Sequence, residues 1–419
     1  MIEERNAKSH EVSCAALWGR ILKENKKLYP IHYLGKTYNT TIHKDLTDEE
    51  FEQVRKEYYT KPDFEDVKKQ FLKIQLGGVK IDKITNYYVK DLMAKVRVYY
   101  NNWTIEEALN YKPLIEFFAG KCDSNKKVYP DTLSLGKKIE TAFRLCGFKT
   151  ASKPSNFPIK TIDEILDNYN INGNYYDFSC GWGSRLLSSL RHNINYFGTD
   201  PNYILCERLN QMANDYRKTC NIDTKVDIKP IGSEEFIPEW ENTIGVAFSS
   251  PPYFSLEDYE IGNQSYKPGM KYLDWLESYL IPTIKNIHKY LIDDGYFLIN
   301  VNNYKGCTHL VQDVKDNIVT NGFALIDILP LKNITRVSGH RHNDKDNTIA
   351  FHDNDERIMV FKKSDSVRTC TNCGEVMNSG YVINDGEEYF CSDDCLYGYY
   401  SDQEYQELCE NDLAYWTEW

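Results

Sequence analysis

Long apolar runs are missing from this chain of 419 residues. No run approaches the roughly 18 to 20 apolar residues that a helix needs to cross a bilayer, so we expect no membrane-spanning segment. The first residues, MIEERNAKSHEV, are charged and lead into no apolar stretch, which predicts no secretory signal. Most of the twelve cysteines are isolated, and without a signal they predict reduced thiols in a cytoplasm.

Basic residues are almost absent from the end of the chain. Residues 364–419 contain 1 Lys or Arg against 13 Asp or Glu, a net charge of −12. Residues 1–160 contain 29 against 21, a net charge of +8, and residues 161–363 contain 20 against 28, a net charge of −8. Nucleic-acid phosphates would be attracted only to the first segment, which excludes the tail as a phosphate-binding surface.

The length predicts two or three domains, and the residue pattern divides the chain into three segments, 1–150, 151–363 and 364–419. Residues 1–150 form a mostly helical basic region, in which EEFEQVRKEYY, DFEDVKKQFLKIQL and ITNYYVKDLMAKVRVYYNNW have helical spacing. Basic residues and tyrosines alternate in YYVKDLMAKVRVYY, a composition that suits nucleic-acid binding and target recognition. An amphipathic helix with solvated lysines is the simpler alternative.

Strands and helices alternate in residues 151–363, from the helix TIDEILDNYN to the strand ERIMVFKK. This pattern predicts an α/β fold with a doubly wound, mostly parallel sheet. Thr161 and Glu164 have the spacing of a capping box at the first helix. The last strand follows a long loop and is expected to insert antiparallel beside its predecessor.

A dinucleotide fingerprint is also incomplete. In DFSCGWGSRL the glycines Gly181 and Gly183 follow the first strand, but Leu186 stands where a third glycine would be. Asp200 ends the next strand, where an acidic residue can accept both hydroxyls of a ribose. The pattern therefore favours a mononucleoside cofactor such as S-adenosylmethionine, and a plain strand–helix turn is the alternative.

The stretch SPPY follows another buried strand, IGVAF, at Ser250 to Tyr253. The Ser250 hydroxyl and the Pro251 carbonyl, held rigid by two prolines, can accept hydrogen bonds from an aromatic amine. Tyr253 offers a ring face to an unstacked base. If the two loops lie side by side, a sulfonium methyl can reach that amine.

SPPY resembles the (D/N/S)PPY motif of the amino-methyltransferases that methylate exocyclic base amines, and DFSCGWGS resembles their cofactor motif. Together with GTDPN, these motifs are similar to phage-borne members of the group. The resemblance covers about residues 150–363 and implies a seven-stranded Rossmann-like methyltransferase sheet, a DNA substrate and a bacterial or phage-infected cytosol. Serine before PPY leans toward cytosine N4 over adenine N6. The resemblance assigns catalysis to Ser250, Pro251, Pro252 and Tyr253, and cofactor binding to Phe157, Asp177, Phe178, Ser179, Cys180, Gly181, Gly183 and Asp200.

Two features of the family's pattern are displaced or absent here. The motif phenylalanine falls at Ser179, with Phe178 one position early, and Ser233 and Glu234 are the only candidates to contact the adenine amine. The family's usual target-recognition domain has no clear counterpart in the sequence. The basic N-terminal region and the loop GHRHNDKDNTIAFHDNDER are the two candidates for its role. His340, His342 and His352 of this loop are candidates to contact DNA or a metal, and a solvated loop is the simpler interpretation.

The acidic tail contains four cysteines with metal-ligand spacing, Cys370-x₂-Cys373 and Cys391-x₃-Cys395. Such pairs chelate one structural Zn²⁺, and the pattern resembles treble-clef-like zinc ribbons. A module this acidic is expected to bind phosphates poorly, and the alternatives for its role are docking of a protein partner, shielding of the basic N-terminal region and added stability alone. The alternatives to a DNA methyltransferase are an RNA or protein-amide methyltransferase, or a nucleic-acid-binding regulatory protein that keeps the fold without turnover.

Overall fold

The computed structural model describes residues 27–33, 36–98, 103–145, 154–259, 263–304, 306–330, 357–377 and 379–418. These residues form two compact units. The first unit comprises the described parts of Met1–Lys61 and Asp91–Pro154, and the second comprises Pro62–Lys90 with the described parts of Ser155–Trp419. Within the described residues, no helix has the length and apolar character of a membrane span.

The first unit combines a hairpin with helices. The hairpin consists of β1 (Tyr29–Tyr33) and β2 (Lys36–Thr40), and the helix α1 (Asp48–Tyr59) follows it. Thr47 and Glu50 form a capping box that satisfies backbone donors at the start of α1. The hairpin was not anticipated from the sequence, which predicted helices in this region.

The helices that follow α1 are divided between the units. In chain order they are α2 (Phe64–Gln75), α3 (Asp82–Tyr88), α4 (Lys90–Met93), α5 (Ile105–Asn110), α6 (Lys112–Ser124) and α7 (Leu135–Leu145). The single helix predicted for ITNYYVKDLMAKVRVYYNNW is therefore wrong in extent. β-branched residues such as Val96 have low helix propensity, and the chain turns so that Arg97 pairs with Glu107 through two hydrogen bonds of 2.9 and 2.6 Å.

The second unit is built on a seven-stranded sheet with the order β5-β4-β3-β6-β7-β9-β8. Its elements are α8 (Ile159–Tyr169), β3 (Asn174–Asp177), α9 (Ser184–Arg191), β4 (Asn195–Thr199), α10 (Tyr203–Cys220), β5 (Val226–Lys229), β6 (Ile244–Ser249), α11 (Tyr272–Trp275), α12 (Ile281–Tyr290), β7 (Leu291–Val301), α13 (Leu310–Thr320), β8 (Phe323–Pro330) and β9 (Arg357–Lys363). A π-helical turn, Leu276–Leu280, joins α11 to α12.

The pairing of the strands confirms the predicted fold class. β5, β4, β3, β6 and β7 run parallel, and β9 is antiparallel to both β7 and β8. The last strand thus lies beside its predecessor, as predicted. Every residue of β6 is buried, which explains its unbroken apolar character. The capping box predicted at Thr161 is wrong, because α8 begins at Ile159 and its N-cap residue, Pro158, makes no side-chain cap.

The hairpin of α2 and α3 packs with the sheet unit, although the sequence grouped it with residues 1–150. The Tyr216 hydroxyl donates to Gln75 Oε1 at 2.8 Å, and the Tyr88 hydroxyl donates to Asp215 Oδ2 at 2.7 Å. Arg208 donates to the Tyr88 carbonyl at 2.6 Å. These contacts join positions more than 100 residues apart, so the local pattern carries no sign of them.

A small module ends the chain and contains its own core. It comprises β10 (Arg368–Thr369), β11 (Val376–Met377), β12 (Ser379–Ile383), β13 (Glu388–Phe390), α14 (Asp393–Tyr397), α15 (Asp402–Glu410) and β14 (Ala414–Glu418). β12 lies between β13 and β14 in a three-stranded sheet. As the spacing predicted, a helix begins after Ser392, whose side chain caps the Cys395 amide.

Candidate active site

The bend after β3 depends on its two glycines. Gly181 and Gly183 have φ values of +58° and +92°, a region that other residues rarely adopt. A Cβ atom on Gly183 would lie 2.9 Å from Met212 Sδ and 3.1 Å from a Leu209 methyl group on α10. The second glycine therefore allows both the turn and the close packing of two helices.

Asp177, at the end of β3, is fully buried and organises this bend. Its Oδ2 accepts hydrogen bonds from Arg185 Nε and from the Tyr196 hydroxyl, both at 2.8 Å, and its Oδ1 accepts from the Ser179 amide at 3.3 Å. Arg185 also donates to the Ser179 carbonyl. Because both carboxylate oxygens have partners within the protein, Asp177 shapes the bend through them, and direct contact with a cofactor stays a prediction.

Asp200 lies at the end of β4, the strand next to β3. Its carboxylate accepts from the Asn202 amide at 3.0 Å and from the Gly181 amide. Burial raises the pKa of Asp200 to about 7, and the charge of Asp177 adds to this shift. The Asp200 carboxylate thus contacts the glycine bend, and its role as an acceptor for ribose hydroxyls stays a prediction.

The SPPY segment lies beside the same bend. Ser249, the last residue of β6, donates from Oγ to the Ser179 carbonyl at 3.3 Å. The Tyr175 hydroxyl of β3 donates to the Phe248 carbonyl at 2.8 Å and adds a second contact between β3 and the end of β6. The glycine bend and the diproline segment therefore share one edge of the sheet, where open α/β sheets bind ligands.

Aromatic rings surround the residues after the prolines. Tyr253 stacks on Tyr304 with ring centroids 6.0 Å apart and an interplanar angle of 23°. The Tyr304 hydroxyl donates to the Phe254 carbonyl, and the Phe254 ring contacts Tyr272 at 5.2 Å. Tyr304 was not predicted from the sequence, because it follows a different strand.

A cavity of about 420 Å³ opens at the end of β5, and Pro201, Gly232, Glu234 and Tyr279 are among its lining residues. Glu234 Oε2 is buried without a hydrogen-bond partner in the described part of the chain. Burial also raises the pKa of Glu234. Of the two candidates for an adenine contact, Glu234 faces the cavity, whereas Ser233 is engaged with Thr283 Oγ1 at 2.8 Å.

Other predicted residues lie in the packing around the bend. The buried Phe178 ring contacts Tyr176 and Phe297 in the core, with centroids 6.2 and 5.8 Å away. The Cys180 thiol lies against Gly198 of β4. Phe157 packs on Phe248 at 5.3 Å. Their roles in cofactor binding stay predictions. Because the Phe178 ring is buried in the core, its predicted contact with the cofactor would come from its backbone atoms.

Two residues near the bend carried no sequence signal. Trp182 stands between the two glycines and is 9% exposed, and its ring lies 6.5 Å from that of Tyr259. The Tyr259 hydroxyl donates to Glu257. Burial raises the pKa of Glu257 and that of Tyr259. The segment after SPPY therefore packs against the glycine bend.

The four predicted metal ligands converge in the C-terminal module. The Sγ atoms of Cys370, Cys373, Cys391 and Cys395 all lie within 4.8 Å of one another. Cys391 Sγ is 3.6 Å from Cys373 Sγ and 3.5 Å from Cys395 Sγ. Sulfurs at about 2.3 Å from one tetrahedral Zn²⁺ would be about 3.8 Å apart, so the donor set and its spacing fit this ion.

The remaining predicted contacts lie outside the described residues. This holds for His340, His342 and His352, and for Tyr99 and Tyr100 at the end of the basic, tyrosine-rich stretch. Their proposed contacts with nucleic acid or metal stay predictions.

Comparison with known proteins gave structural matches only. No family model and no curated protein sequence matches the chain. A TehB-like SAM-dependent methyltransferase from Corynebacterium glutamicum is 16% identical and has a TM-score of 0.30, over 48% of this chain and 86% of its own. The 1,6-didemethyltoxoflavin-N1-methyltransferase of Burkholderia thailandensis, solved with S-adenosylhomocysteine, is 13% identical and has a TM-score of 0.33, over 49% and 78%. At these values the likeness identifies neither a substrate nor a reaction.

Proposed function

We propose that the protein transfers a methyl group from S-adenosylmethionine to the exocyclic amine of a base in DNA, with cytosine N4 favoured over adenine N6. The observation that carries this proposal is the hydrogen bond of Ser249 to Ser179, which joins the diproline segment to the glycine bend. A methyl donor held by the bend and an amine held by SPPY would then meet at one edge of the sheet.

The order of the strands supports an extended mononucleoside cofactor. At the carboxyl edge of the sheet, four features lie in the order of the strands: the Glu234 cavity after β5, Asp200 after β4, the glycine bend after β3 and Ser250 after β6. Three strand spacings of about 4.8 Å span about 14 Å, enough for a nucleoside with an amino-acid arm. Glu234 would accept a hydrogen bond from the adenine amine, and Asp200 would accept hydrogen bonds from the ribose hydroxyls. The backbone of the glycine bend would face the methionine end of the cofactor. When bound, this cofactor supplies an electrophilic methyl group.

The target amine would be held by the SPPY residues. Its nitrogen lone pair is delocalised into the ring, so acceptors that draw its protons toward a tetrahedral geometry make it a better nucleophile. The Ser250 hydroxyl and the Pro251 carbonyl supply such acceptors, Pro252 stiffens the segment, and Tyr253 stacks on the base. The base must first leave its duplex, at a cost of a few kcal/mol.

The flanking regions suggest partners for this centre. Residues 1–160, with a net charge of +8, would contact the DNA backbone. Cys370, Cys373, Cys391 and Cys395 would hold one structural Zn²⁺, which folds the module and leaves no open coordination position. The acidity of this module suits a protein partner in a bacterial or phage-infected cytosol.

The test is to digest DNA from cells that express the protein and to measure methylated nucleosides by mass spectrometry, beside a Ser250→Ala strain. We expect N4-methylcytosine or N6-methyladenine with the wild type and its loss with the variant. Calorimetry of the purified protein should show S-adenosylmethionine binding that Ser250→Ala leaves nearly unchanged.

The methyl acceptor is identified by parallel assays that measure transfer of a tritiated methyl group to DNA, to RNA and to protein. Label in RNA or protein alone would reassign the substrate. If none of the three is labelled and the protein still binds DNA tightly, the function is reassigned to that of a nucleic-acid-binding protein that keeps the fold without methyl transfer.

A further inference from the structure

The Ser250 hydroxyl is held in one hydrogen-bonding direction by Asn300, near the end of β7. Asn300 is 5% exposed, and its Nδ2 lies 3.0 Å from the Arg357 carbonyl at the start of β9. A carbonyl oxygen only accepts hydrogen bonds, so the atom that faces it must be the amide nitrogen. The orientation of the Asn300 side chain follows from this contact alone.

The other end of the amide then determines what Ser250 can do. Asn300 Oδ1 lies 3.0 Å from Ser250 Oγ, and an amide oxygen also only accepts. Ser250 must therefore donate its single hydroxyl proton to Asn300. Two lone pairs remain on Oγ, and no proton remains to offer to a substrate.

We propose that Asn300 is a positioning residue that makes Ser250 an obligate acceptor, so that the site takes a nitrogen that carries hydrogen. This inference rests on the proposed function and narrows its substrate. The exocyclic amine of cytosine or adenine donates hydrogen bonds and matches Ser250. The unprotonated ring nitrogens of the same bases, cytosine N3 and adenine N1, only accept, and two acceptors facing each other are unfavourable.

The proposed reaction balances with this polarity. The nitrogen lone pair forms the N–C bond, the electron pair of the broken C–S bond stays on sulfur, and the methylated nitrogen loses one proton to solvent. Ser250 neither gains nor loses its own proton, because that proton stays on the hydrogen bond to Asn300.

The test compares Asn300→Leu, which has similar volume but no amide, with Ser250→Ala and the double variant. For Asn300→Leu we expect kcat to fall by about tenfold to a hundredfold, as for other lost preorganised groups, while the Kd of S-adenosylmethionine stays within about twofold. In the Ser250→Ala background the same change should lower kcat by less than about twofold, because the two residues act as one unit. Methylated ring nitrogens, 3-methylcytosine or 1-methyladenine, should rise as a fraction of product.

Two further variants separate positioning from structure. Asn300→Asp keeps an acceptor for the Ser250 proton, and we expect it to retain more of kcat than Asn300→Leu. Asn303→Leu is the matched control, since Asn303 Oδ1 only accepts from the Val311 amide at 2.9 Å and anchors α13. It should lower the melting temperature without changing the product ratio.

Independent effects of Asn300→Leu and Ser250→Ala on kcat, or an unchanged product ratio, would overturn the role of Asn300. Absence of methyl transfer by the wild type would instead overturn the proposed function itself. If Asn300→Leu does not fold, the cycle is run with Asn300→Ala, which also removes the amide. Equal fold-losses of kcat with and without the Ser250 hydroxyl would again overturn the role of Asn300.

Discussion

Two neighbouring carboxylates of the site have opposite environments. Asp177 is paired with Arg185, whereas Asp200 accepts hydrogen bonds from the uncharged backbone amides of Asn202 and Gly181, and burial raises its pKa to about 7. A carboxylate is the better acceptor for ribose hydroxyls. The proposed cofactor site should therefore be sensitive to pH near neutrality, and the group responsible is Asp200.

We expect S-adenosylmethionine affinity to fall by up to about tenfold per pH unit below 7, since each bound complex requires loss of one proton. Asp200→Asn should bind more weakly and lose this pH dependence, and calorimetry between pH 5.5 and 8.5 measures both. For folding the sign is opposite. The pKa of Asp200 is higher in the folded than in the unfolded chain, so this residue lowers stability as pH rises from about 4 to 7. A pH-independent affinity in the wild type would remove Asp200 from the site.

Glu234 should affect binding and stability in opposite directions. Its Oε2 is buried without a partner in the described residues, so Glu234→Gln should raise the melting temperature of the free protein. The same change removes a charged acceptor and should weaken S-adenosylmethionine binding by about tenfold or more. Glu239→Gln, at an exposed position, is the control for charge alone. A variant that binds as tightly as the wild type would show that the cavity does not hold the adenine.

The positions that could be predicted are those set by a residue's own neighbours in sequence. Gly181, Gly183 and Asp200 each end or follow a strand, and the strand order places them together. Asn300 reads as part of an ordinary strand end, because its partners lie 50 and 57 positions away. Tyr304 was missed for the same reason.

At the scale of elements, the packing of α10 against the glycine bend determines which side chains the bend can accommodate. Gly183 and Gly77 have nearly the same φ, +92° and +91°, but a Cβ atom meets α10 side chains at Gly183 and nothing within 4 Å at Gly77. The pair therefore separates backbone strain from crowding.

We expect Gly77→Ala to destabilise the protein by about 1 kcal/mol through strain alone. Gly183→Ala should add about 1 to 3 kcal/mol of overpacking against Met212 and Leu209. Denaturant titration of the sheet unit gives both values. Equal losses for the two variants would mean that α10 moves away from the bend without resistance.

The strands of the sheet were well predicted because the residue pattern of a strand lies within the strand itself. In β6, for example, every residue is buried and the run IGVAF is continuously apolar. Helix ends were less predictable. Pro158 starts α8 three residues before the expected cap, and the hairpin of α2 and α3 joins the sheet unit through Tyr88 and Gln75. Such docking depends on surfaces that form only after folding, so residues 1–150 looked uniform in sequence.

At the scale of the whole molecule, the C-terminal module differs from the rest in charge and in the size of its core. Six buried residues form this core: Cys370, Met377, Ile383, Phe390, Leu396 and Ala414. A segment this short seldom folds on such a core without disulfides or a metal. Zn²⁺ bound to four thiolates supplies on the order of 10 kcal/mol or more, so the module should depend on it.

We therefore expect a strong zinc chelator to unfold the module and to leave the melting transition of the seven-stranded sheet in place. Cys373→Ser should do the same, whereas Cys409→Ser, an exposed cysteine outside the cluster, should have no effect. Calorimetry follows the two transitions, and near-ultraviolet circular dichroism follows Trp416, which packs against Tyr381 at 4.8 Å. Release of one Zn²⁺ per chain should accompany the loss of this signal. A module that keeps its signal without metal would show that packing alone holds the four cysteines together.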